Sequence, residues 1–216
     1  MLARTLPDED WTARQGEVLE AALGLLVEEG ATLTTAGVAR AASCSKETLY
    51  KWFGDRDGLL TAIVRWQAAK VKLPRIDRER LDAASLREGI TSFARNLLGV
   101  LSSDTSVALN RLAISHGGTG LGAIVLENGR REMGRRLKPV LEAGRDAKLL
   151  RFDASETAFR TYFGLVVRDV QIRLLLGEDC RFGGAEIAAD AERATDQFFA
   201  LYGADEMQAL PAEQNA

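Results

Sequence analysis

The apolar residues of this chain recur three and four positions apart and almost nowhere two apart. In residues 14–29, Val18, Ala22, Leu25 and Leu26 fall on one stripe. Residues 55–72 align Leu59, Ile63 and Trp66, and residues 85–102 align Leu86, Ile90, Phe93, Leu97 and Leu101. That spacing marks one face of a helix, whereas a half-buried strand alternates every second residue. No segment combines sustained alternation with β-branched enrichment, so the chain is read as all-α. With segments at 34–41, 45–53, 105–116, 126–146, 155–176 and 185–202, about nine helices are expected. Gly30 suits the end of the first, Asp55 suits the cap of the fourth, and Pro139 implies a kink or boundary near Lys138. Pro74, with the charged stretch Asp77–Arg80, marks a connection, and Gly117, Gly118, Gly120 and Gly122 break the chain again.

Composition removes several function classes. At 216 residues, 46% hydrophobic and 27% charged, the chain has the balance of a globular protein. No apolar run approaches the roughly 18–20 residues of a membrane span. The opening MLARTLPDED lacks the apolar core of a secretion signal, so a cytoplasmic protein is expected, away from membranes. Two cysteines, Cys44 and Cys180, and one histidine, His116, cannot build a disulfide scaffold or a histidine metal centre. No nucleophile–base pair or cofactor motif is visible, so no enzyme activity, metal or cofactor is expected.

The informative stretch is TTAGVARAASCSKETLYKWFGDRDGLL, residues 34–60. Two short helices flank a tight turn, Ala42-Ser43-Cys44, with Val38 and Ala39 facing inward from the first and Leu49 and Phe53 anchoring the second. This spacing fits a helix-turn-helix, whose second helix lies in the DNA major groove and reads bases with its first turn. Ser45, Lys46, Glu47 and Thr48 occupy that turn. Lysine can donate to guanine O6/N7, and glutamate can accept from cytosine N4. Thr34 and Thr35 open the preceding helix, where hydroxyls and free N–H groups suit a phosphate. Tyr50, Lys51, Trp52 and Arg56 add donors for the DNA backbone. Residues 34–72 carry seven basic and three acidic side chains, a surplus of four, although the whole chain is at −3. The positive charge is therefore local to the motif.

On these residues the sequence resembles the tetracycline-repressor (TetR) family of bacterial regulators. The matching features are an amphipathic first helix, Gly30, Thr34-Thr35, Val38-Ala39, Thr48-Leu49-Tyr50-x-Trp52-Phe53 and Arg56-x-x-Leu59. Trp52 stands where tyrosine or histidine is more usual, and Arg56 where lysine is; both keep a donor. Asn110–Ser115, Leu121–Arg130 and Val166–Leu176 look like members with an AefR-type C-terminal domain. The resemblance implies a helix-turn-helix domain of three helices over 12–60, with a linking helix over 55–72. An effector-binding and dimerising helical bundle over 78–203 and a tail over 204–216 would complete the chain. It also implies a homodimer on double-stranded operator DNA, a repressor released by a small effector, with the last two long helices forming the dimer interface.

Two further expectations come from the helices themselves. Residues 155–176 carry two apolar stripes, one through Phe159, Tyr162, Phe163, Val166 and Val170, the other through Ala158, Leu165, Ile172 and Leu176. The second needs another layer, so Leu165, Ile172, Ile187 and Phe198 are expected at a chain–chain interface. A lipophilic effector is expected among Phe93, Leu97, Ile114, Phe163 and Val167, with Asn110 and Arg111 as polar anchors. The alternative reading is an all-α small-molecule-binding module without DNA recognition, against which the local charge and intact donors argue.

Overall fold

The computed structural model describes residues 11–29, 33–73, 77–117, 120–179 and 182–204. Gly30, Pro74, Gly118, Cys180 and the tail after Ala204 lie outside them. Among the described residues the chain forms α1 (Ala13–Glu29), α2 (Thr35–Ala41), α3 (Lys46–Phe53), α4 (Arg56–Ala69), α5 (Ala83–Leu101) and α6 (Asp104–Ser115). There follow α7 (Leu121–Val125), a π-helical turn (Leu126–Arg130), α8 (Arg131–Asp146), α9 (Ser155–Val167), α10 (Val170–Leu175) and α11 (Gly184–Tyr202). The only extended pairing among them is one antiparallel bridge between Leu150 and Gly203. The all-α expectation stands.

Helix starts follow local chemistry. Thr12 accepts from Gln15 N through Oγ1 (3.2 Å), and Gln15 Oε1 accepts from Thr12 N (2.9 Å), a reciprocal cap for α1. Asp55 Oδ1 accepts from Gly58 N at 2.8 Å, as its position before α4 suggested. Ser103 caps α6, and His116 closes it, its backbone N–H donating to Leu112 O (3.2 Å). Asp82 and Ser85 hold each other before α5, and hydrogen bonds from the Ser85 hydroxyl and backbone N–H keep the Asp82 carboxyl below its ordinary pKa.

One expectation about helix breaks is corrected and a second is narrowed. The segment 155–176 is two helices, because Arg168 ends α9 at φ 44°, ψ −125°. Conversely, α8 runs through Pro139 without a boundary, and the irregular turn lies upstream at 126–130, where the backbone loosens into the wider π pattern.

The chain divides into two compact units. One comprises residues 1–71, 100–133 and 171–180, so the unit around α1–α4 also takes in stretches that lie far along the chain. Its core joins Val18, Leu19, Ala22, Leu23 and Leu26 of α1 to Val38, Leu49, Leu60 and Ile63, and to Leu112 and Leu121. The other comprises residues 72–99, 134–170 and 181–216, with α9 packed on α11. There Tyr162 is fully buried, donates to Ile90 O (2.8 Å) and lies 3.0 Å from Thr195 Oγ1. Burial pushes the Tyr162 hydroxyl well above its ordinary pKa, so it stays a neutral donor.

Candidate nucleic-acid interface

Helix α3 is built to present one face. Leu49 is 1% exposed, and Trp52 and Phe53 are half-buried, their rings meeting edge to face at 6.2 Å. Trp11 also packs on Phe53, with centroids 5.9 Å apart. Lys46, Glu47, Tyr50 and Lys51 are all exposed, at i, i+1, i+4 and i+5, so they share one stripe of the helix, turned away from the core that buries Leu49. Tyr50, at 53% exposure, is an aromatic residue left in water beside two lysines. Trp52 is the exception among the expected contacts, since it belongs largely to the core around α1–α4.

The flanking elements add donors. Thr34 caps α2 by accepting from Gly37 N at 3.0 Å, which leaves its own O–H free to donate. Thr35 is the first residue of α2 and is half-buried. Ser45 caps α3, accepting from Thr48 N at 3.1 Å with Thr48 Oγ1 also 3.1 Å away. Hydrogen bonds from its own backbone and from Ser45 hold the exposed Glu47 carboxyl below its ordinary pKa. It is therefore an anionic acceptor at neutral pH. Arg56 is the exposed first residue of α4. The ten residues expected at DNA thus fall on the start of α2, on α3 and on the start of α4, all in one unit.

The corner after α3 depends on two glycines. Gly54 ends the helix at φ 79°, a conformation L side chains rarely adopt. A Cβ on Gly58 would lie 2.0 Å from the carbonyl oxygen of Phe53. The sequence pattern did not reveal three supports behind this surface. Arg14 donates to Ala42 O at 2.6 Å, Trp66 Nε1 donates to Glu20 Oε1 at 2.7 Å, and Lys70 pairs with Glu20 at 2.8 Å. All three join residues far apart in the chain, and no local spacing announces them.

Family comparisons agree with this geometry. The model for bacterial regulatory proteins of the tetR family matches residues 18–63, and that for the C-terminal domain of AefR-like transcriptional repressors matches residues 88–204. The chain belongs to the TetR family. A TetR transcriptional regulator from Agrobacterium tumefaciens is 46% identical, superimposes with a TM-score of 0.79, and the match covers 92% of this chain and 99% of that one. A flavonoid-responsive regulator, FrrA, is 26% identical with a TM-score of 0.64, over 88% of this chain and 97% of that one. A TetR-family protein from Mesorhizobium loti shares the fold at 23% identity, with a TM-score of 0.69 over 88% of this chain and 96% of that one. The comparison with curated protein sequences returns no match. As a TetR regulator the protein is a ligand-responsive, DNA-binding member of a family that acts as dimers on operator DNA. No helix among the described residues is long and apolar enough to cross a membrane.

The remaining expected residues fare unequally. Phe198, expected at the chain–chain interface, is 0% exposed and meets Tyr162 edge to face inside its own protomer. It shares the inner face of α11 with Ala191, Ala194 and Thr195. Leu165 and Ile187 are half-buried and Ile172 is exposed, while Leu201, which the sequence reading passed over, is 62% exposed on α11. Ile114, expected in the effector site, is 66% exposed. Arg111 is exposed, and it donates to the carbonyls of Leu174 (2.8 Å) and Leu175 (3.4 Å), tying α6 to the end of α10. Asn110 turns back on its own helix, donating to Ser106 O at 2.8 Å. Phe93 and Leu97 are core residues, Val167 is nearly so, and Phe163 is half-buried against Phe159 with centroids 5.7 Å apart.

Proposed function

We propose that this protein represses transcription by binding palindromic operator DNA as a homodimer, and that a small lipophilic effector releases it. The observation that carries the DNA contacts is the outward stripe of α3, where Lys46, Glu47, Tyr50 and Lys51 are all exposed. Lys46 and Glu47 read base edges, while Thr34, Thr35, Ser45, Thr48, Tyr50, Lys51 and Arg56 engage the backbone, and Trp52 anchors the helix that carries them. Two copies place two recognition helices in successive major grooves, about 34–36 Å apart. Leu165, Ile172 and Ile187 supply apolar surface for the pairing, joined by Leu201.

The effector acts by population shift. It binds more tightly to a form of the dimer whose recognition helices no longer match that spacing, and its differential affinity sets the size of the response. An aromatic compound is favoured: the four apolar candidates of the second unit include Phe93 and Phe163, and one relative is named for its response to flavonoids. Phe163, the half-buried member of that group, is the position at which the effector is sensed.

Selection of binding sites from random duplexes tests the reading. The wild type should recover a palindrome, and Lys46→Ala should relax base preference at one symmetric pair of positions, at a cost of about 1–3 kcal/mol. An unchanged preference would remove Lys46 from the base readers.

A further inference from the structure

Arg14 lies on α1, outside the motif that reads DNA, yet its guanidinium grips the turn of that motif. Nη2 donates to Ala42 O at 2.6 Å and lies 3.3 Å from Ser43 O, while Nη1 is held by Glu17 at 2.7 Å. Ala42 and Ser43 are two of the four residues joining α2 to α3. Ser43 takes φ 49°, a left-handed conformation that serine adopts at a cost. The turn is otherwise held by backbone hydrogen bonds on its inner side, Ser43 N to Arg40 O (3.1 Å) and Cys44 N to Ala39 O (2.9 Å). The carbonyls of Ala42 and Ser43, just past the last turn of α2, lie near the negative end of its dipole, where a cation is favoured. Arg14 supplies a charged donor to these two successive carbonyls from the one nitrogen, Nη2.

We propose that Arg14 is a positioning residue for base recognition. By fixing the peptide planes of Ala42 and Ser43 it sets where Ser45 caps α3, and hence the angle at which Lys46 and Glu47 enter the groove. The proposal rests on the DNA-binding reading above. Arg14 itself contacts carbonyl oxygens rather than phosphates, so its loss lowers selectivity rather than general attraction to DNA.

The test uses the full chain with Arg14→Met, which keeps the apolar stem, and Arg14→Lys, which keeps charge and a donor. Two duplexes of equal length serve as probes: the consensus selected by the wild type, and a random sequence. Each is titrated at several salt concentrations, and thermal melting is followed in parallel. Arg14→Met should bind the consensus about tenfold more weakly, the scale of one charged hydrogen bond. It should bind the random duplex as the wild type does, with the same salt slope. Arg14→Lys should recover at least half of the loss on a logarithmic scale. A salt slope flattened by about one would make Arg14 a phosphate ligand and overturn the proposal. So would equal weakening on both duplexes, consensus affinity unchanged in Arg14→Met, or an Arg14→Lys no better than Arg14→Met. If wild-type selection yields no consensus, the DNA-binding reading itself falls, and this proposal with it.

Discussion

Arg168 closes α9 in nearly the backbone conformation that Gly54 uses to close α3: φ 44°, ψ −125° against φ 79°, ψ −126°. Glycine reaches that region freely, whereas a side chain there costs about 1–3 kcal/mol. Arg168 is held by an ion pair with Asp190, which Arg193 also grips.

The order of substitutions at this position should therefore invert the usual helix scale. Arg168→Gly should be more stable than Arg168→Ala by about 1–2 kcal/mol, although alanine is normally the better helical residue. Urea denaturation of the two variants measures the difference. Equal stabilities would mean that the break relaxes once the arginine is gone.

Gly16 and Gly24, both on α1, should respond oppositely to alanine, and Gly58 of α4 should follow Gly16. A Cβ at Gly16 would meet Trp66 Cη2 at 2.7 Å, and one at Gly58 would meet a backbone carbonyl at 2.0 Å, whereas nothing lies within 4 Å at Gly24. Gly16→Ala and Gly58→Ala should destabilise by about 1–3 kcal/mol, Gly58→Ala the more, because backbone cannot step aside. Gly24→Ala should stabilise by about 0.5–1 kcal/mol. Thermal unfolding of the three variants, read at one protein concentration, decides this.

Acid should weaken the α1–α4 contact through Glu20. Burial alone would raise its pKa, but hydrogen bonds from Lys70 and Trp66 and the charge of Lys70 outweigh that, and it falls below the ordinary 4.5. A carboxyl depressed on folding contributes stability that is complete above its unfolded pKa and is lost as pH falls through the folded value. The melting difference between wild type and Glu20→Gln should thus be constant near neutrality and shrink below about pH 4.5. A difference that grew in acid would contradict the assignment.

Pairing of protomers should fail when charge enters the outward face of α11. Leu201→Glu or Ile187→Glu should give monomers in sedimentation and weaken operator binding with it, since two half-sites need two linked recognition helices. A change at Phe198 should instead unfold the protomer, because that ring is enclosed by Tyr162, Phe199 and Tyr202. A dimer surviving both α11 substitutions would move the interface elsewhere.

Periodicity was enough to find nearly every helix, because a helix that buries one stripe must repeat it. The faces of α3 were legible for the same reason: an inward Leu49 leaves Glu47 and Lys51, at i−2 and i+2, on the far side of the helix. Phe198 and Ile114 were misjudged because periodicity says that a face is apolar without saying what covers it. Asn110 and Arg111 found partners in backbone carbonyls, which sequence spacing does not display. The break at Arg168 was hidden because arginine carries no sign of a left-handed turn, as the glycine at position 54 does.

The π turn at 126–130 holds one residue more per turn than the α-helix on either side of it. That surplus is what a single-residue insertion leaves behind in a helix already committed to its packing. Removing one residue there, Gly129 with its open surroundings being the natural choice, should convert the turn to ordinary helix rather than unravel it. A family alignment that opens a one-position gap at this point would be recording a change of winding, not the loss of a loop.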